Sequence, residues 1–322
     1  MVAAAFRSFV GVAKEATPGT GLVPTHFIPI TDDTNTNDVI TYLQDKGMRG
    51  SMVKYYNVIP GVKHGEFQVK GNVDLKTIGF PLASLLGDVA TTGAGPAYTH
   101  TFAVKNSTDG QPPSYSFTDF NGVEPRRFSY SRATEVNFKF AADGLLEYTS
   151  KWKSFASSIV AEPTPAYSTY VPFANYQAAV EIAGAASLIV QDGDLTIKRS
   201  VDLLTTLNNG DNNPYKLFSG AVEVEGKMTV VAETNAELLR YLNNTQPSLK
   251  LFWDTTGAAT DSLQLYMTKA AYVAAEAKRG KEWVQYDIKF SGVANTTDAG
   301  ASGGYSPIKA TLISTEASGT YA

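Results

Sequence analysis

Gly65-Glu-Phe-Gln-Val-Lys-Gly-Asn-Val-Asp74 and Gly220-Ala-Val-Glu-Val-Glu-Gly-Lys-Met-Thr229 share one layout. Gly65 matches Gly220, Val69 matches Val224, Gly71 matches Gly226 and Val73 matches Met228. In both stretches apolar residues alternate with polar ones. Successive side chains of a strand point to opposite faces, so the alternation places the apolar set on one face of a half-buried strand. The recurrence of the pattern far along the chain points to a duplicated unit.

The flanks repeat as well. After the first strand, Ile78, Leu82, Leu85 and Leu86 fall on one helical face, with Gly87 as a stop. After the second, Thr234-Asn-Ala-Glu237 has the capping-box pattern and Leu238, Leu239 and Leu242 supply the apolar face. Leu82 and Leu86 correspond to Leu238 and Leu242. A Pro-Ser strand follows each helix, Pro113-Ser-Tyr-Ser-Phe117 and Pro247-Ser-Leu-Lys-Leu-Phe252. A further strand comes next, Arg127 to Ala133 or Leu263 to Ala270. Each half closes with a hairpin whose turn lies near Asp143-Gly144 or Arg279-Gly280, where glycine is expected to supply positive φ. The closing strands run from Leu145 to Phe155 and from Trp283 to Phe290. Upstream, Gly47-Met-Arg-Gly-Ser51 resembles Ile197-Lys-Arg-Ser200, and the polar stretches Asp32–Gln44 and Leu204–Asn213 read as loops. The first half carries a Gly/Pro/Thr-rich insertion between Gly87 and Pro113.

The expected fold is therefore mainly β, with two duplicated β-sandwich or barrel domains, each carrying one short flanking α-helix. The expected boundaries are 1–160 and 177–322. The linker is 161–176, where Pro163, Pro165 and Pro172 sit among aromatic and small residues.

Composition supports packed domains. The 322 residues are 43% hydrophobic and 18% charged, so disorder is not the default. There is no cysteine, which excludes disulfides, thiolate metal sites and a cysteine nucleophile. His26, His64 and His100 are the only histidines and are scattered. The net charge of −4 offers no basic surface for holding nucleic acid. The stretch Met1–Phe9 is too short and polar for a signal peptide, and no apolar run spans a bilayer.

Several short motifs reduce to structure. Gly300-Ala-Ser-Gly-Gly304 matches the nucleophile-elbow pattern, but lies in a Gly/Ser-rich tail without a following helix. His64-Gly-Glu66 lacks the cysteines of a zinc deaminase. Gly226-Lys227 lacks the spacing of a phosphate loop. Asp192-Gly-Asp194 and Asn208–Asn213 lack calcium-loop spacing and read as turns. The sequons at Asn106, Asn243 and Asn295 read as chance without a secretion signal. Arg126-Arg127, Lys151, Lys153 and Lys278-Arg279-Lys281 read as solvated faces or subunit contacts. No acid, base and nucleophile converge, so no catalytic, cofactor or metal residue is assigned and no cofactor is expected.

Gly11-Val-Ala-Lys-Glu-Ala-Thr-Pro-Gly-Thr20, then Pro24, Phe27, Ile28 and Pro29, resembles the N-terminus of siphophage major tail tube proteins. Lys46 to Ser51 resembles that family too, as does the order strand, helix, strand, strand, hairpin. The resemblance implies a non-enzymatic structural subunit of a bacteriophage virion, with rings stacked into a hollow tube for genome delivery. It implies as partners the chain itself, a tape measure protein in the lumen, tail terminator and distal tail proteins, and viral DNA passing without specific binding. It implies no membrane partner, and a virion location after assembly in host cytoplasm. Relatives with one tube domain are expected to close as six subunits, so two domains per chain imply homotrimeric, pseudo-hexameric rings, with a homohexamer as the competing outcome. A carbohydrate- or receptor-binding β module is the alternative, with Tyr167, Tyr170 and Phe173 as a possible aromatic platform.

Overall fold

A computed structural model describes every residue except 1–3, 32, 96, 168, 170, 208, 209, 256–260, 280 and 281. The first half contains β1 (Phe9–Lys14), β2 (His26–Ile28), β3 (Asn35–Asp45), β4 (Asn57–Asn72), α1 (Gly79–Leu86), β5 (Gly87–Thr92), β6 (Tyr98–Val104), β7 (Tyr115–Phe120), β8 (Pro125–Ala141), β9 (Glu147–Ser154) and β10 (Ser158–Ile159). The second contains β11 (Ala179–Ile182), β12 (Ala185–Ser187), β13 (Val190–Leu204), β14 (Lys216–Val231), α2 (Ala236–Leu242), β15 (Leu249–Asp254), β16 (Ser262–Met267), β17 (Ala270–Lys278), β18 (Gln285–Gly292) and β19 (Lys309–Ser314). The fold is mainly β, and its strand pairs are antiparallel.

The repeated strands are β4 and β14. In the first half β3 pairs β4, β4 pairs β9, and β9 pairs β8. In the second, β13 pairs β14, β14 pairs β18, and β18 pairs β17. The two four-stranded blocks thus have one order. They are fused edge to edge, because β8 also pairs β13 over the register Glu135↔Lys198 to Ala141↔Asp192.

The outer strands repeat in the same way. The first part of β8 pairs β7 and β10, β7 pairs β1, and β1 pairs β2. Correspondingly β16 pairs β15 and β19, β15 pairs β11, and β11 pairs β12. Where β8 runs unbroken from outer to inner sheet, its counterpart divides into β16 and β17 at Thr268-Lys269. One large core lies beneath, including Phe67, Val69, Phe138, Trp152, Leu195, Val224, Met228 and Phe290. Burying a side chain of this size stabilises by roughly 1.5–3 kcal/mol, so the alternating strands account for much of the fold.

Four local expectations are corrected. The stretch Asp32–Gln44 is not a loop: from Asn35 it forms β3, whose polar faces hid a strand that packs on no core and is held by its ladder to β4. Gly144 closes its turn by donating its N–H to Ala141 O, outside the positive-φ region; Gly280 lies outside the described residues. The capping box at Thr234 does not form. Glu237 turns inward, accepts the Tyr272 hydroxyl at 2.8 Å and pairs with Arg240. Gly47–Ser51 is not the counterpart of Ile197–Ser200. Arg199 lies opposite Val222 and Thr36 opposite Phe67, so register makes Thr36 the counterpart of Arg199.

The insertion between Gly87 and Pro113 folds as the hairpin β5–β6. It extends the second half's outer sheet, with β6 pairing β19. The chain's last residues answer it by returning to the first half. Tyr321 is buried, its ring 5.1 Å from Phe80 and 4.9 Å from His100, and its hydroxyl donates to Lys76 O. A Cβ on Gly79 would lie 2.5 Å from that ring, so glycine is required there.

Candidate assembly interface

The motif Lys14-Glu15-Ala16-Thr17-Pro18-Gly19 has a structural role. The buried Glu15 carboxylate accepts hydrogen bonds from Gly19 N, Ser114 Oγ, Ser116 Oγ and Tyr130 N at 2.7–2.9 Å. Its desolvation is offset by four donors, and it pins the loop after β1 to the Pro-Ser strand and to the bend of β8.

Other motif residues make local contacts. Ser302 Oγ accepts Asn106 N–H, and Asp88 accepts the Ser302 backbone N–H. His64 meets Glu66 at 3.2 Å. Asp194 pairs with Lys227 at 3.1 Å. Among the described residues no group of three His, Asp or Glu side chains is placed to hold a metal ion. Phe173 is buried in the core and so is not available to the suggested aromatic platform; Tyr170 lies outside the described residues.

Attention therefore falls on edges and faces. Among the described strands, β3 pairs only β4 and β17 pairs only β18, so each block ends in an unpaired edge. Such edges invite pairing with another chain. The seam between the blocks shows how one edge is sealed. Arg199 donates to Gly220 O, to Leu85 O in the last turn of α1 and to Gly110 O, each at 2.8 Å. Arg132 donates to Leu217 O at 2.9 Å and to Gln111. Burial, and secondarily the Arg132 charge, lower the Arg199 pKa to about 10. The guanidinium on α1's carbonyl end also complements the helix dipole. Neither arginine was identified as functional from the sequence; each occupies a strand position whose partners come from distant loops.

The face of the inner sheet away from the core is laced with cross-strand ion pairs. Lys151 meets Glu135 at 3.0 Å, Lys153 meets Glu66 at 3.9 Å, Lys198 meets Glu225 at 2.9 Å and Lys227 meets Asp194 at 3.1 Å. The hydrogen bond and charge of Glu225 raise the Lys198 pKa. Exposed pairs add little stability, but each leaves its lysine with a carboxylate partner.

Beyond Gly65, β9 no longer accompanies β4, and the β3–β4 hairpin continues as an arm. The eight residues Asn57–His64 span about 26 Å at ~3.3 Å each. The arm exposes Tyr42, Leu43, Met48, Met52, Val53, Val58 and Ile59. The corresponding loop after Leu204 does not extend alone, since Asn212 O accepts Lys63 N–H at the arm's base.

The family model for phage tail tube protein matches residues 5–312. The chain belongs to the phage tail tube protein family. No curated protein matches it. A tail tube protein is a structural component of the virion tail that self-assembles into a tube, and the unpaired edges, apolar arm and ion-paired face are its available surfaces. No helix among the described residues is long and apolar enough to cross a membrane.

The C-terminal strap is expected to give this tail tube protein a pH dependence. Glu316 accepts from His26 Nε2 at 3.0 Å, and this bond leads the lowering of its pKa below 4.5. His100, bonded to Glu316 O, is held below 6.5 chiefly by burial. A depressed carboxylate stabilises above its unfolded pKa and loses that contribution as pH falls through the folded value. A depressed histidine likewise favours folding while neutral. Urea midpoints are therefore expected to fall as pH drops below 6.5 and again below 4.5. In Glu316→Gln the second fall should shrink; an unchanged profile would contradict the role of the strap.

Proposed function

We propose that three copies close a ring by pairing β17 of one with the β3 edge of the next, and that stacked rings form the channel for genome delivery. The observation that carries this is the β8–β13 joint: both four-stranded blocks belong to one continuous sheet, so both line the same wall. On this reading residues 1–160 and 177–322 are two tube domains interlocked by β5–β6 and the C-terminal strap, and 161–176 connects them. Six blocks at ~4.8 Å strand spacing and a tilt of ~40° close a barrel about 48 Å across between backbones, which leaves a lumen for a duplex. Six chains with both blocks in the wall would double that diameter.

The family supports the rest: a tape measure protein in the lumen before ejection, and terminator and distal tail proteins at the two ends. Negative-stain images of concentrated protein test the reading. Rings or tubes are expected, and particles that stay monomeric at every concentration would contradict it.

The apolar arm is proposed to reach the adjacent ring. Removing its tip, residues 46–56, is expected to leave folded subunits that form short ring species but no long tubes. Normal tube lengths would refute this role. The wall is also expected not to grip DNA. Affinity for duplex rises with each phosphate neutralised by a free cation, and four wall lysines are already paired across strands. Tubes at physiological salt should show no retention of duplex DNA in a filter or shift assay. Tight, salt-sensitive binding would overturn the wall assignment.

A further inference from the structure

We propose that Ser158–Tyr167 of one copy crosses onto the exposed face of α2 in the neighbouring copy, an inference that rests on the ring reading above. The template lies within the chain. Ile159 pairs opposite Arg126 on β8, and Leu312 opposite Leu263 on β16. The Pro-Ser strands fix these as equivalent positions, since Phe117 faces Phe128 as Leu251 faces Leu265. Beyond β10 comes Glu162, and beyond β19 comes Glu316; each precedes a tyrosine by five residues, Tyr167 and Tyr321. The segment after β10 is thus the counterpart of the C-terminal strap.

What the strap does is visible. It runs from β19 of the second half to the first half and seats Tyr321 against α1, with Tyr115 donating to Tyr321 O at 2.6 Å. Every residue of α1 is buried. The same step from the first half leads past the free β3 edge, where a ring places the next copy's β17 and α2. There the counterpart helix is bare: Leu239 is 50% exposed and Leu242 64%, whereas their equivalents Ala83 and Leu86 are fully buried. Within its own chain Tyr167 lies beside Thr25, His26, Lys76, Thr77 and Glu316. The Tyr167 ring meets Phe27 edge-on at 6.1 Å and stays half exposed, and Pro163 and Pro165 favour an extended path.

The two contacts differ in detail. Asn235 stands where Gly79 makes room for the Tyr321 ring, so Tyr167 settles farther along the helix, over Leu239 and Leu242. Ala232 replaces Lys76, so the clasp on Glu316 is not repeated.

The chain's lack of cysteine makes the test direct. Tyr167→Cys and Leu242→Cys variants, mixed in equal amounts and assembled, are treated with a short bismaleimide. Covalent dimers are expected from the mixture and not from either variant alone. Tubes seen by electron microscopy without such dimers would overturn the inference and leave the ring reading intact. Wild-type protein that never forms rings would overturn the ring reading, and this inference with it. If the cysteine variants do not assemble, Tyr167→Phe should assemble like the parent and Tyr167→Ala should need a roughly tenfold higher concentration, about 1.4 kcal/mol. Equal behaviour of the two would contradict the contact.

Discussion

Tyr321→Ala is expected to lose about 3–5 kcal/mol of stability, the range for emptying a large aromatic site. The ring is enclosed by Phe80, His100 and Phe102 and sits on Gly79. The cavity left behind is expected to stay open, because α1 and β6 are each fixed by other contacts in the same core. Tyr321→Phe keeps the ring and removes the hydroxyl with its bonds to Leu75 O and Lys76 O, a loss of about 1 kcal/mol. Urea unfolding of the three proteins separates these effects. An alanine variant as stable as the parent would mean that the strap is a passive tail.

Val273→Pro is expected to abolish tube formation while leaving the subunit folded. Val273 lies in the unpaired edge strand β17, is half exposed, and is the extra residue at the register shift between Tyr272 and Ala274. It has no register partner on β18, and edge strands and bulges are where a sheet tolerates proline. A proline on an edge strand blocks pairing with an incoming strand. Circular dichroism should match the parent, and electron micrographs should show dispersed particles. Tubes in normal yield would show that β17 is not the joining edge.

The repeat was legible because Val69 and Val224 sit in strands that alternate and pack on one core. The helices were legible for the same reason, since Leu82 and Leu238 keep helical spacing. β3 was not, because a strand packed on no core carries no apolar period. The hairpin β5–β6 was hidden in a Gly/Thr-rich insertion whose partner, β19, lies some two hundred residues on. Arg199, Arg132 and Tyr321 escaped notice because their roles depend on carbonyls and sockets from the other half. The motif Glu15–Gly19 announced the family, but only the four donors around Glu15 explain it.

Cryo-electron microscopy of assembled tubes tests the central claim most directly. The account predicts three chains per ring, true threefold and approximate sixfold symmetry, and both four-stranded blocks of each chain in the inner wall. Six chains per ring, with one block of each on the outside, would contradict it.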